Sequence, residues 1–194
     1  MRSLFVFVII ASLLFLYFTG CQSVKVDNTP IQHIDIKKYL GQWYEIARLD
    51  HSFERDMEQT KAEYTLLDDG YIQVVNTGLR KGKFKTSVGK AKITETPALL
   101  RVSFFGPFYS DYRILMLDEN YQYALVGGSS YQYLWILARN PLISNATKDK
   151  ILAEARRRGY DVDKLIWVRH DLSDLDLVSE TWITTTPYNE KSSL

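Results

Sequence analysis

The chain has 194 residues, with 24 basic and 23 acidic side chains, 46% apolar residues and a single cysteine. This length suits one ordinary domain or two small ones, and a net charge near zero removes the attraction on which nucleic-acid binding depends. One cysteine excludes an intramolecular disulfide and any metal site built from several thiolates.

Residues 1–20 are predicted to be a secretory signal peptide. Arg2 precedes an apolar run from Leu4 to Phe18, which is too short to span a bilayer core of about 30 Å. Two small residues then stand directly before Cys21. This arrangement resembles the lipobox of bacterial lipoproteins, which implies a lipid anchor on Cys21, and the glutamine that follows it implies an outer-membrane location. The alternative is an incidental cysteine beside an ordinary cleavage site.

The body of the chain is predicted to consist of short strands. Residues 21–33 are polar and contain Pro30, which predicts a tether before a core that begins at Ile34. From Trp43 onward the apolar period is near two, as is typical of strands, and a change of phase at Gly89 predicts a bulge. The predicted strands are Gly41–Leu49, Lys61–Leu67, Tyr71–Thr77, Lys83–Thr94, Leu99–Phe105, Tyr109–Leu117, Tyr121–Gly127 and Tyr133–Arg139.

Eight consecutive strands predict an all-β, antiparallel up-and-down barrel, because closure removes both exposed sheet edges. An open sandwich is the alternative. One helix follows, with Ser144 as its N-cap and Gly159 at its end, and its narrow apolar stripe places it outside the barrel. The predicted domain covers residues 34–170, and the polar residues 171–194 are predicted to be a flexible tail.

The two ends of this strand series resemble the lipocalin signature. Gly41 and Trp43 open the first strand, and Arg139 closes the last. The stretches Val102–Tyr109 and Tyr133–Leu137 are similar to the bacterial lipoprotein members of that family. The resemblance implies that the arginine packs across the tryptophan ring at the closed end of the barrel, and that the barrel binds a small amphiphile.

Alternating strand directions place the loops after the first, third, fifth and seventh strands at the open mouth. Apolar rings together with cations in these loops suit an amphiphile with an anionic head. The alternatives are that the rings pack against one another and that the cations are solvated. The predicted mouth residues are Phe53, Arg80, Lys81, Phe105 and Phe108.

Side-chain alternation along three strands predicts which residues line the interior. Hydroxyl and indole groups among aliphatic ones are the usual composition of a ligand pocket. Glu45 shares the parity of Trp43 and is expected to accept hydrogen bonds from an inward tyrosine or arginine. The predicted ligand-binding residues are Val102, Phe104, Tyr112, Ile114, Met116, Tyr133, Trp135 and Leu137.

The sequence therefore predicts a lipid-anchored carrier of a fatty acid or lysophospholipid, acting in envelope lipid maintenance. No cofactor, metal or catalytic residue is predicted, because the histidines are isolated and no catalytic motif occurs. His51, next to Glu54, is expected on a solvated loop. The alternatives are a lipid-modifying esterase on the same barrel and a filled structural barrel, and a homodimer through the aromatic loops stays open.

Overall fold

The computed structural model describes residues 26–171, so the predicted signal peptide, Cys21 and residues 172–194 lie outside the described part of the chain. Each long strand pairs antiparallel with the next, and the first strand pairs with both the second and the eighth. The sheet therefore closes, and the predicted eight-stranded barrel is confirmed. Its strands are β1 Gly41–Arg48, β2 Met57–Leu66, β3 Ile72–Arg80, β4 Lys83–Ile93, β5 Leu99–Phe105, β6 Phe108–Leu117, β7 Tyr123–Gly127 and β8 Leu134–Ala138.

Short elements complete the fold at both ends of the chain. They are α1 Ile36–Tyr39, α2 Asn145–Arg157, a 3-10 turn at Val162–Lys164 and β9 Ile166–Trp167. Ser144 caps α2 by accepting a hydrogen bond from the Thr147 N–H at 3.1 Å, and Gly159 follows with a φ of 90°, as the sequence predicts. Among residues 26–171, no helix is long and apolar enough to cross a membrane.

Two apolar cores share the wall of the barrel. The inner core fills the barrel around Trp43, Leu100 and Ile114, which are almost completely buried. The outer core lies between the barrel and α2, where Ile151 and Ala155 pack against the outward side chains of β1, β7 and β8. The helix therefore covers one side of the barrel and leaves the β3–β4 side without cover by any helix in the described residues.

The predicted bulge at Gly89 is wrong. The β3–β4 register runs without a break through the pair Val74 and Gly89. The phase changes because Phe84 and Val88 face outward into solvent, with exposed fractions of 66% and 57%. Gly89 instead permits close packing, since a Cβ there would lie 2.8 Å from the ring of Phe104.

The described part of the predicted tether lies against the barrel. The Ile31 N–H donates to the Ile114 carbonyl at 2.9 Å. The Asn28 amide donates to the Gly128 carbonyl, in the loop between β7 and β8, at 2.6 Å. Residues 26–33 therefore run along the outside of the barrel from its mouth towards its closed end.

Arg158, which follows α2, holds this N-terminal segment in place. Its buried guanidinium donates to the carbonyls of Thr29 at 2.8 Å and Leu115 at 2.7 Å, and its Nε donates to Glu154 at 2.7 Å. A buried cation with this many acceptors is fully hydrogen-bonded to three separate elements. Arg158 thus joins the segment, β6 and α2.

Arg139 seals the opposite end of the barrel. Its Cζ lies 3.9 Å from the ring centre of Trp43, whose Nε1 donates to the Tyr39 carbonyl at 2.8 Å. The guanidinium also donates to the Gln42 carbonyl at 2.6 Å and the Leu40 carbonyl at 2.9 Å. One side chain therefore ties β8 to α1 and to the beginning of β1.

We expect Arg139→Ala to lower the free energy of unfolding by about 2–4 kcal/mol, because several carbonyls and the indole face lose their partner together. Arg139→Lys keeps the charge but lacks the planar guanidinium. Its free energy of unfolding should lie between those of the wild type and Arg139→Ala. Urea unfolding measures the change. The control is Arg101→Ala, whose side chain is 47% exposed; an effect as large as that of Arg139→Ala would contradict the assignment.

Candidate functional site

The floor of the barrel carries three tyrosine hydroxyl groups. The Tyr39 and Tyr112 oxygens lie 2.6 Å apart, and the Tyr64 hydroxyl donates to the Tyr112 oxygen at 3.0 Å. Burial is the main cause that raises the pKa of all three phenols, to about 12 for Tyr64. The phenols therefore stay neutral at physiological pH and satisfy one another in an otherwise apolar floor.

The lower half of the barrel interior is filled, whereas the upper half is open. Below, Ile72, Val74 and Ala91 are almost completely buried. Above them, the same register turns Lys85 and Ser87 of β4 inward, yet both are exposed to solvent. Lys85 and Ser87 belong to the part of β4 that extends beyond its pairing with β5. The inward side chains of Val102, Phe104 and Trp135 are only partly buried, so the barrel is not packed solid near its mouth.

The bottom and wall of this open region contain most of the predicted lining residues. Ile114 and Leu137 are buried in the inner core, whereas the side chains nearer the mouth are only partly buried. The lining residues that contact the inner core are Val102, Phe104, Tyr112, Ile114, Trp135 and Leu137.

The prediction that Met116 lines the interior is wrong. A bulge between Ile114 and Met116 inserts one extra residue in β6, and Met116 then lies opposite Leu125 and packs against the outer core. Leu117 faces inward in its place. Period-two counting along β6 is correct up to Ile114 and fails after it, because the bulge reverses the parity.

Aromatic rings form a layer at the mouth beside β8. The rings of Tyr133 and Trp135 are stacked with centres 5.9 Å apart, and Phe53 stacks on Tyr133 at 6.1 Å. The Trp135 Nε1 donates to the Glu54 carboxylate at 2.9 Å. The loop between β1 and β2 is therefore held over one side of the mouth.

Arg48 is the residue that fixes this loop from inside. Its Nη1 donates to Glu45 at 2.8 Å, and its Nη2 donates to the carbonyls of Glu54 at 2.7 Å and Met57 at 3.1 Å. Arg48 is the predicted inward partner of Glu45, but sequence alternation did not single it out. A bulge between Glu45 and Ala47 changes the parity of β1 and turns the arginine inward.

Glu45 is a buried carboxyl group with a raised pKa. Burial is the largest cause that raises the pKa of Glu45, to about 7, and repulsion from Glu54 adds to it, while Arg48 acts in the opposite direction. The predominant protonation state of Glu45 therefore changes near neutral pH.

The expectation of a solvated His51 is wrong. The His51 ring is buried under Phe53, with ring centres 3.9 Å apart, and its Nε2 lies 2.9 Å from the Glu54 carboxylate. This pair belongs to the folded loop above the aromatic layer. Across residues 26–171, no three histidine, cysteine or acidic side chains are grouped as a metal ion would require.

The other predicted mouth residues differ in their surroundings, since Arg80 contacts the loop between β1 and β2 whereas Lys81, Phe105 and Phe108 are exposed. Arg80 donates to the Phe53 carbonyl at 2.8 Å and so supports the loop between β1 and β2. Lys81 lies in the β3–β4 turn with a φ of 51°. Phe105 and Phe108 flank the β5–β6 turn and are 83% and 79% exposed. These rings do not cap the barrel.

A closed eight-stranded barrel with a sealed floor, an open mouth and an external helix defines a lipocalin. A Lipocalin-like domain model matches residues 34–170, which is more than half of the chain, and the chain belongs to this family.

Relatives of known name agree with this assignment. The outer membrane lipoprotein Blc of Escherichia coli K12 is 50% identical over 145 residues, covering 73% of this chain and 82% of the relative. The protein of the same name in Vibrio cholerae is 43% identical over 169 residues, covering 84% and 97%. Both relatives are named as outer membrane lipoproteins, and the single cysteine of this chain, Cys21, fits a lipid anchor of that kind.

A solved structure is similar as well. The cockroach allergen Per a 4 superposes with a TM-score of 0.62 at 25% identity, covering 75% of this chain and 94% of the allergen. This likeness supports the barrel fold.

The titration of Glu45 predicts a specific pH dependence of stability. Between about pH 4.5, its ordinary pKa, and about pH 7, the folded state holds a proton that the unfolded state has released. The contribution of Glu45 to the free energy of unfolding is therefore largest below pH 4.5. It decreases as the pH rises to about 7 and is constant above that pH. Glu45→Gln should remove this decrease, which we expect to be on the order of 1–3 kcal/mol.

Urea unfolding at several pH values measures the difference between the two proteins. The His170 Nε2 donates to the Glu45 carbonyl at 2.7 Å, and burial lowers the pKa of its imidazole, so His170 acts in the opposite direction. Its contribution is common to both proteins and cancels in the difference. Glu63→Gln, at an exposed position of β2, serves as control; a wild-type profile in Glu45→Gln would refute the assignment.

Proposed function

We propose that this lipocalin binds a fatty acid or lysophospholipid in the open half of its barrel and carries it for envelope lipid maintenance. The observation that carries the proposal is the asymmetry of the interior. The floor is filled and sealed, while inward side chains near the mouth remain exposed or half-buried. An interior with apolar walls and one open end suits a single acyl chain that enters tail first.

The polar groups favour an anionic head at the mouth. Lys85 faces inward and is exposed, Lys81 lies at the neighbouring turn, and no acidic side chain within residues 26–171 pairs with either lysine. Arg48 and Arg80, in contrast, are engaged by the loop between β1 and β2. We assign head-group attraction to the two lysines and the apolar contacts to Val102, Phe104 and the Tyr133–Trp135 layer.

The family supports carriage over catalysis, since lipocalins are in general binding proteins. The pair of His51 and Glu54 is the remaining candidate for an esterase. Its histidine lies beneath Phe53, and its carboxylate is shared with Trp135. These contacts give both side chains a structural role in positioning the loop.

A side chain that fills the interior should abolish binding. Val102 faces inward at the boundary between the filled and open halves, and Val88 faces outward on the neighbouring strand. We expect Val102→Trp to weaken binding at least about tenfold, because the indole occupies the path of the acyl chain, and Val88→Trp to bind like the wild type. Displacement of a dansylated fatty acid from the mature chain by oleate or oleoyl lysophospholipid measures affinity.

The same samples separate the three functions. Recovery of intact lysophospholipid after binding supports carriage, whereas release of free fatty acid that disappears in His51→Ala would establish an esterase. No saturable displacement by any amphiphile would establish a filled structural barrel. Circular dichroism spectra of both tryptophan variants confirm that they are folded.

A further inference from the structure

A patch of apolar and basic side chains lies on the outside of the barrel, beside the mouth. Phe84 and Val88 point outward from β4, and their cross-strand partners Leu79 and Val75 lie on the same face of β3. In a soluble domain, contiguous exposed apolar side chains mark a surface that contacts something else. No element of residues 26–171 covers Phe84 or Val88, which stay more than half exposed.

The hairpin that carries this patch projects beyond its neighbour. β4 pairs with β3 over Lys83–Ala91 but with β5 only at Lys90–Ile93. Residues 83–89 therefore have no strand partner on the β5 side. Next to them stands the β5–β6 turn, whose tip presents Phe105 and Phe108.

The charge of the hairpin is entirely positive. Residues 79–93 contain five lysines and one arginine but no acidic residue, although the whole chain has nearly equal numbers of each. Lys81, in the turn, and Lys90, on the outward face of β4 two positions after Val88, are exposed, and neither forms an ion pair within the described residues. Phenylalanine rings flanked by lysines match the interface of an anionic bilayer, where the rings enter the acyl boundary and the ammonium groups meet phosphates.

A second copy of the chain fits this surface less well. Lysines along an exposed strand edge discourage pairing with another strand, and two copies would bring their positive hairpins together. An anionic membrane offers both the apolar phase and the opposite charge.

The N-terminal segment independently points to the same end of the molecule. Asn28 is fixed to Gly128 in the β7–β8 loop, which lies at the mouth. Cys21 stands seven positions before Asn28, and a chain of that length reaches at most about 25 Å. An anchor on Cys21 therefore holds the membrane near the mouth end of the barrel, which is the end at which the hairpin projects.

We propose that Phe84, Val88, Phe105, Phe108, Lys81 and Lys90 form a docking surface for an anionic phospholipid bilayer, which presses the mouth of the barrel against the membrane. The proposal goes beyond ligand carriage, because the surface lies outside the barrel and needs no ligand. Its occupant is the bilayer itself rather than a single lipid molecule.

Vesicle sedimentation tests this surface with the mature chain beginning at Gln22, which lacks the anchor. The vesicles contain phosphatidylcholine alone or with 30% phosphatidylglycerol, a composition chosen as an anionic membrane. We expect wild-type binding to require phosphatidylglycerol and to weaken as salt increases. The double variant Phe84→Ser, Val88→Ser and the single variant Lys90→Glu should each reduce the bound fraction at least about fivefold.

Matched controls come from the closed end of the barrel. Leu142→Ser changes an apolar side chain that is 61% exposed, and Lys37→Glu changes an exposed lysine. Both should bind vesicles like the wild type. Displacement of the dansylated fatty acid should be unchanged in all four variants, which separates docking from ligand binding and shows that each variant is folded.

Three results would overturn the proposal. The first is equal vesicle binding by wild type and the Phe84, Val88 variant. The second is wild-type binding that is no stronger with phosphatidylglycerol than without it. The third is a wild-type dimer, seen by analytical ultracentrifugation, that the double variant converts to monomer while vesicle binding persists; this would assign the surface to a second copy.

Discussion

Closure of the barrel between β1 and β8, with Arg139 packed across its base, is the constraint on which the rest of the structure depends. The guanidinium shares its donors between carbonyls of the α1 region and β1 while it covers the Trp43 ring. A floor sealed in this way allows the lower interior to pack as a true core. Within residues 26–171 the other end has no equivalent seal, so the same barrel is solid below and accessible above, as the proposed ligand binding requires.

Much of the fold could be predicted from the sequence because a barrel strand shows its environment at every second residue. The strand series, the Gly41 and Trp43 opening, the Arg139 closure and the Ser144 cap all carry local signals. The predictions fail where one residue is added. The bulge in β6 turns Met116 outward, and the bulge in β1 turns Arg48 inward. Nothing in the neighbouring residues marks an inserted position, since the bulge is set by pairing with strands that are distant in sequence.

The candidate site shows the same division. Its apolar wall could be predicted from alternation, but its polar network could not. Glu45, Arg48 and Glu54 meet only because the loop after β1 folds back over the mouth, and Trp135 reaches that loop from β8. The sequence predicts that His51 is exposed to solvent, but its ring is buried by Phe53, which lies on the same loop. Side chains assembled from a loop and a distant strand leave no periodic trace in the chain.

The bonds of Arg158 have a mechanical consequence for a protein attached by its N-terminus. Force applied to Cys21 meets the folded body first at residues 27–29, where Arg158 and the Asn28 amide connect the segment to α2, β6 and the β7–β8 loop. These bonds precede β1 in the chain, so they resist such a force before it reaches β1. Force from thermal motion of the membrane is therefore taken up by the N-terminal segment, α2 and β6. The pairing of β1 with β8, which closes the barrel, does not carry it directly.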